Sequence, residues 1–132
     1  MAKLLLVAHG ARLRGWAAQA RDDYLARMPR GYAVQCAARV PPNARIVALD
    51  ERGRELTSAQ FAAELARWAA AQAPTAFVVG GPDGLDAKTR AQAALLLRLS
   101  SLTLPHALAQ VLLAEQLYRA ATRLTGHPYH RG

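Results

Sequence analysis

Three stretches of this sequence hold residues whose types and spacing could do chemistry. The first is GGPDG, residues 80–84, which closes an apolar run and precedes a helix-like segment. Bare backbone there suits a packing turn, and it equally suits close approach to a nucleotide, a flavin or an adenosyl group. The spacing is not the G-x-G-x-x-G fingerprint of dinucleotide binding, and no Walker lysine-serine pair follows. The second stretch sets Glu115, Arg119 and Arg123 at helical intervals. Glu115 and Arg119 read as an ion pair four residues apart. Facing a cleft, Arg119 would instead clamp phosphate. The third is HPYHR, residues 127–131. Its histidines, tyrosine and arginine suit an RNA-facing or catalytic tail, because histidine exchanges a proton near neutral pH without a large shift. A frayed terminus is the other reading. No further His, Cys or paired carboxylate stands near these histidines in sequence, so no metal is expected.

Composition narrows the partners. Seventeen basic residues against nine acidic ones give +8, and fifteen of the seventeen are arginine. Such a balance attracts polyanions at long range, and arginine meets phosphate in a bidentate fashion. Apolar residues make up 52% of the 132, enough for one domain, residues 1–132, with a real core. The lone cysteine, Cys36, excludes an intramolecular disulfide and a multi-thiolate metal site. It lies in the apolar YAVQCAA, which predicts a buried thiol. No apolar run approaches a membrane span, and the run in MAKLLLVAHG is too short for a signal peptide. A cytoplasmic protein is expected.

The elements that must position these residues follow from apolar periodicity. Residues 3–8, 32–37, 45–50 and 75–80 read as strands, the first and last nearly all apolar. Helices are expected over 13–27, from Thr57 or Ser58 to before Pro74, over 86–98 including ALLLRL, and over 106–124 up to Gly126. LSSLTLP, 99–105, reads as a loop or short extended piece. Strands followed by helices predict an α/β fold with a mainly parallel sheet and flanking helices. Only about seven residues, around Pro41-Pro42-Asn43, join the second and third strands, too few for a helical parallel crossover. Those strands therefore pair antiparallel, or one sits at an edge. Ligands of parallel sheets favour the carboxyl ends of strands, where Leu49-Asp50 and Gly81 fall. The last helix is apolar almost all round, at Leu108, Val111, Leu112, Leu113, Leu117 and Leu124, and so asks for a partner surface beyond its own sheet.

Together GGPDG, LTLPHALAQVLLAEQLYRA and HPYHR, with KLLLVAHG ahead of Trp16 and Tyr24, resemble the small SPOUT-class methyltransferases that methylate N3 of a pseudouridine in large-subunit (23S) ribosomal RNA. The likeness runs from about residue 45 to 131. It implies a C-terminal deep trefoil knot, an exception to the rule against knots. It also implies a homodimer acting on large-subunit ribosomal RNA in the ribosome, with neither DNA nor membrane as partner. S-adenosyl-L-methionine would lie bent in the knot, held mainly by backbone at Leu49, Gly80, Gly81, Ser100, Ser101, Leu102, Thr103, Leu104 and Pro105. Tyr129, His130 and Arg131, with Arg119 and His106, resemble the family's substrate-side set, the tail of one subunit working beside the cofactor of the other. The sequence departs from the family where PPNA replaces a helical segment between the second and third strands. Two rival functions remain: methylation of a different RNA nucleoside, and non-catalytic RNA binding or ribosome assembly.

Overall fold

The computed structural model describes residues 3–131, with side chains through Tyr129. Its elements are β1 (Leu4–Ala8), α1 (Gly15–Ala26), β2 (Val34–Ala37), β3 (Arg45–Glu55), α2 (Ser58–Ala70), β4 (Thr75–Val79), α3 (Ala87–Gln92), β5 (Leu95–Arg98), α4 (His106–Thr125) and a short 3-10 turn, Pro128–Arg131. The strands form one sheet in the order β2-β1-β4-β3-β5, and every pairing is parallel. The chain is therefore α/β, as its alternation of strands and helices predicts.

LLLVA of β1 and TAFVV of β4 lie at the sheet centre, which explains their lack of polar alternation. Leu4, Leu6, Val47 and Phe77 face a core shared with Phe61, Leu65 and Trp68 of α2 and with Leu113 and Leu117 of α4. Trp68 meets Phe77 edge-on, with centroids 5.6 Å apart. Leu5, Val7, Ile46, Ala48, Ala76 and Val78 point to the opposite face. That face is covered more thinly, by Val40 and Ala44 of the β2–β3 link and by Leu85 and Ala93 beside α3.

The link explains how so few residues join two parallel strands. β2 is an edge strand, and β3 lies beyond β1 and β4. Three strand spacings amount to about 14 Å. Seven extended residues reach about 23 Å. The link crosses the thin face without a helix and turns at Asn43, whose φ of 64° is tolerated by asparagine. Of the two arrangements the sequence leaves open, the edge position is the one found. The antiparallel pairing is not.

Three expectations need correction. The segment expected as one helix over 86–98 divides into α3 and strand β5, because LLLR has no polar face and gains burial by pairing with β3. Tertiary pairing overrides leucine's helix propensity there. β3 does not stop at Asp50 but continues through ERGRE to Glu55. Cys36 is exposed rather than buried, since β2 is an edge strand that buries only Val34. What solvent is excluded from its thiol still holds the pKa above its ordinary value.

Helix boundaries follow local chemistry. Thr57 caps α2 by accepting from the Gln60 N–H at 3.1 Å, and the Gln60 side chain accepts from the Thr57 N–H at 2.9 Å. Gly126, at φ 81°, ends α4 in the left-handed conformation that favours glycine. No helix among the described residues is long and apolar enough to cross a membrane. Leu65→Ala should cost about 2–5 kcal/mol, because the side chain is fully buried between α2 and the sheet. Thr57→Ala should cost about 1 kcal/mol. Urea unfolding of both variants checks the order.

Candidate active site

A cleft of about 870 Å³ opens at the carboxyl ends of β3, β4 and β5. Leu49 to Arg52 form one wall, Val79 to Leu85 a second, and Leu97 to Leu99 the floor between them. Leu102 to His106 close the remaining side, with Ala109 of α4 and Arg90 of α3. Its size falls in the range of about 300–1,000 Å³ typical of small-molecule sites. Its place is the one that parallel sheets reserve for ligands.

The glycine turn has a packing cause as well as a place at the cleft. The Gly84 N–H donates to the Gly81 carbonyl at 2.9 Å, and Gly84 sits at φ 83°. A Cβ on Gly80 would stand 2.5 Å from the Gly84 carbonyl carbon. One on Gly81 would stand 3.2 Å from the Gly10 Cα, in the loop after β1. The turn thus folds on itself and against β1, and its main chain lines the cleft. Asp86 next caps α3, accepting from the Thr89 N–H at 2.8 Å. The hydrogen bonds to Thr89 hold the Asp86 carboxyl below its ordinary pKa.

The end of β3 is unusual. Leu49 and Arg54 both register with Leu97, so Asp50, Glu51, Arg52 and Gly53 bulge out of the pairing. Gly53 passes so close to β5 that a Cβ would meet the Leu96 carbonyl oxygen at 2.6 Å. Asp50 Oδ1 accepts from the Arg52 N–H at 2.8 Å, and the carboxylate pairs with Arg90. Thr103 Oγ1 donates to Glu51 at 3.4 Å, joining the bulge to the 99–105 loop.

Of the expected cofactor residues, Leu49, Gly80, Gly81, Leu102, Thr103, Leu104 and Pro105 come together around the cleft, and His106 joins them from the first turn of α4. Ser100 and Ser101 are not part of the lining. Ser100 Oγ instead accepts from the Leu102 N–H at 3.0 Å and shapes the loop. Sequence reasoning missed Glu51, Arg52, Arg90 and Arg98 as cleft residues. The available signal was ERGRE after an apolar strand, whose charges read as a surface loop.

Arg119 and Tyr129 lie elsewhere. Arg119 is thirteen residues along α4 from His106, about 20 Å at helical rise. It pairs with Glu115 at 2.9 Å and sets its guanidinium 5.3 Å from the centre of the Tyr129 ring. The Tyr129 hydroxyl donates to Glu115 at 3.0 Å and lies 3.3 Å from the Tyr24 hydroxyl. Its ring meets Tyr118 edge-on at 4.7 Å. The residues after α4 are therefore docked on α1 and α4 of their own chain. The side chains of His130 and Arg131 lie outside the described residues. Desolvation, then the contacts with Tyr24 and Glu115, raises the Tyr129 pKa. A raised folded-state pKa means that the anchoring is intact below the ordinary phenol value of about 10 and is lost only as pH rises through the higher folded value. Ultraviolet difference titration should accordingly show one tyrosine ionising later than the others, and Tyr129→Phe should remove that phase.

Comparison with known proteins agrees with this geometry. Residues 33–130 match a family model described as "Predicted SPOUT methyltransferase". The chain is 45% identical over 154 residues to ribosomal RNA large subunit methyltransferase H of Bordetella pertussis, covering 98% of this chain and 99% of that protein. It is 44% identical over 145 residues to the protein of the same name from Polynucleobacter asymbioticus, with the same coverage. Both alignments are longer than the 132 residues here, so these relatives carry residues that this chain lacks. Among solved structures, TrmJ from Z. mobilis ZM4 superimposes with a TM-score of 0.59 over 92% of this chain and 71% of that one. At 16% identity, that likeness speaks for the fold alone. The parallel sheet, the cleft at its carboxyl ends and these matches lead to one conclusion: the chain belongs to the SPOUT methyltransferase family, grouped with the proteins named ribosomal RNA large subunit methyltransferase H.

Proposed function

We propose that this chain transfers a methyl group from S-adenosyl-L-methionine to N3 of a pseudouridine in large-subunit ribosomal RNA, acting as a cytoplasmic homodimer of single-domain subunits with the family's C-terminal knot. The observation that carries the reading is the 870 Å³ cleft, walled by the glycine turn and the 102–105 loop, in a member of a methyltransferase family. The names of the curated relatives support ribosomal RNA as substrate. The charge of +8 suits a polyanion.

The cleft fits the cofactor. Leu49, Val79, Leu97 and Leu104 offer apolar walls, and main chain at 80–85 offers amide and carbonyl groups for an adenine edge and ribose. When bound, S-adenosylmethionine supplies a methyl group on a sulfonium, open to in-line displacement. The protein's work is alignment of the attacking nitrogen, with proton removal from it. N3 of pseudouridine is an imide nitrogen and must lose its proton to attack. His130, as a neutral imidazole, accepts that proton, while Arg119 and Arg131 stabilise the negative ring or grip phosphate. Tyr129 holds the tail in place through Glu115.

A homodimer supplies what one chain lacks. Tyr129 anchors the tail near Arg119, about 20 Å along α4 from the cleft end of that helix. A tail fixed there serves the cleft of a second copy more readily than its own. Trp16, Leu108 and Leu124 remain exposed on α1 and α4 and suit such a contact.

Removing the base should separate binding from chemistry. His130→Ala is expected to lower kcat by about 10²–10⁴-fold, the usual worth of a general base. Calorimetry should find S-adenosylmethionine binding unchanged in that variant, and unaltered turnover would remove His130 from the mechanism. Nucleoside mass spectrometry of ribosomal RNA, comparing strains with and without the gene, tests the target. A different methylated nucleoside supports the first rival, and no change together with no cofactor uptake supports the non-enzyme. A shared site also predicts that specific activity falls as dilution separates the subunits, as assays across a concentration series would show.

A further inference from the structure

Asp50 is a buried carboxylate that the proposed chemistry leaves unused. Its side chain is only 3% exposed, and it pairs with Arg90. A charge withdrawn from water needs a partner, and losing that partner leaves it uncompensated. Here the partners come from different elements. Arg90 belongs to α3, directly after the 80–86 turn, whereas the Arg52 N–H that Asp50 also accepts belongs to the bulge of β3. Arg90, Asp50 and Arg52 all line the cleft.

The geometry points to Asp50 and Arg90 as a positioning pair that sets the width of the cofactor cleft. This rests on the proposed use of the cleft for S-adenosylmethionine. Gly53 locks one end of the bulge against the backbone of Leu96 and Leu97. The Asp50–Arg90 pair ties its other end to α3, the helix that directly follows the glycine turn. The two walls are thereby held at a fixed separation, with Leu49 on one and Gly80 and Gly81 on the other. An ion pair kept for stability alone could give way to apolar residues of similar volume without loss. A pair that spaces two binding walls cannot, because an apolar substitute has no directional contact with the Arg52 N–H.

Asp50→Asn and Arg90→Met test the pair, with calorimetry of S-adenosylmethionine and S-adenosylhomocysteine and methylation kinetics on ribosomal RNA. The expected result is cofactor affinity weakened by about tenfold or more in both variants. The cofactor KM should rise in step with the lost affinity, with the KM for RNA unmoved. A purely structural lesion would instead lower kcat in proportion to the folded fraction and leave the cofactor KM alone, which overturns the proposal. Unchanged affinity in folded variants also overturns it. If both variants fail to fold, Arg90→Lys decides, because it keeps the charge and changes the geometry: weakened affinity supports the pair, and wild-type affinity overturns it. Wild-type protein that takes up no cofactor would refute the proposed function itself and the pair with it, whereas wild-type binding with unaffected variants refutes the pair alone.

Discussion

The site depends on the near contact of two backbones, β3 at Gly53 and β5 at Leu96–Leu97. β5 is only four residues long and sits at the edge of the sheet. Held against β3, it carries the 99–105 loop to the same end of the sheet as the glycine turn after β4. Without that contact, the loop and the turn would have no common space to enclose. The bulge of β3 is the geometric result: four residues leave the ladder so that pairing can resume at Leu97. Charge and cleft both enter there. β3, apolar from Ile46 to Leu49, thus ends in its most polar stretch.

α4 relates the cleft to the rest of the molecule. Its first residue, His106, lines the cleft, and its second half carries Glu115, Tyr118 and Arg119, which receive Tyr129. Along the helix, Leu113 and Leu117 are fully buried in the core against the sheet, and Gln110 accepts from Arg21 of α1 at 2.7 Å. The helix is therefore a rigid spacer packed between α1 and α2. Rigid spacing keeps the cleft and the docked tail of one chain apart. It also gives the docked tail a defined direction.

Much of this was legible because the relevant signals are local. Apolar runs marked β1, β3 and β4, Thr57 or Ser58 marked the start of α2, and Gly126 marked the end of α4. The glycine turn announced itself by composition, though its spacing alone could not choose between packing and ligand, and only the family resemblance pointed to a cofactor. The structure gives packing reasons for Gly80 and Gly81 and also a place on the cleft wall. What stayed hidden depends on partners distant in sequence. LLLR is a strand only because β3 lies beside it, and a short leucine run looks alike in either state. ERGRE continues a strand only because Gly53 admits the β5 backbone. Cys36 is exposed because β2 falls at the edge, a fact of strand order. The Asp50–Arg90 pair spans forty positions and has no spacing signature at all.

The edge position of β2 has a practical side. Cys36 is the chain's single thiol, exposed on the strand at one margin of the sheet, while β5 and the cleft lie toward the other, four strand spacings or about 19 Å across. A fluorophore coupled there would mark every copy at one defined place without touching the cleft. Energy transfer between labelled copies would then report their separation directly. Partial burial pushes the thiol's pKa up from its ordinary value, so coupling would go faster in alkaline buffer, where more of it is thiolate.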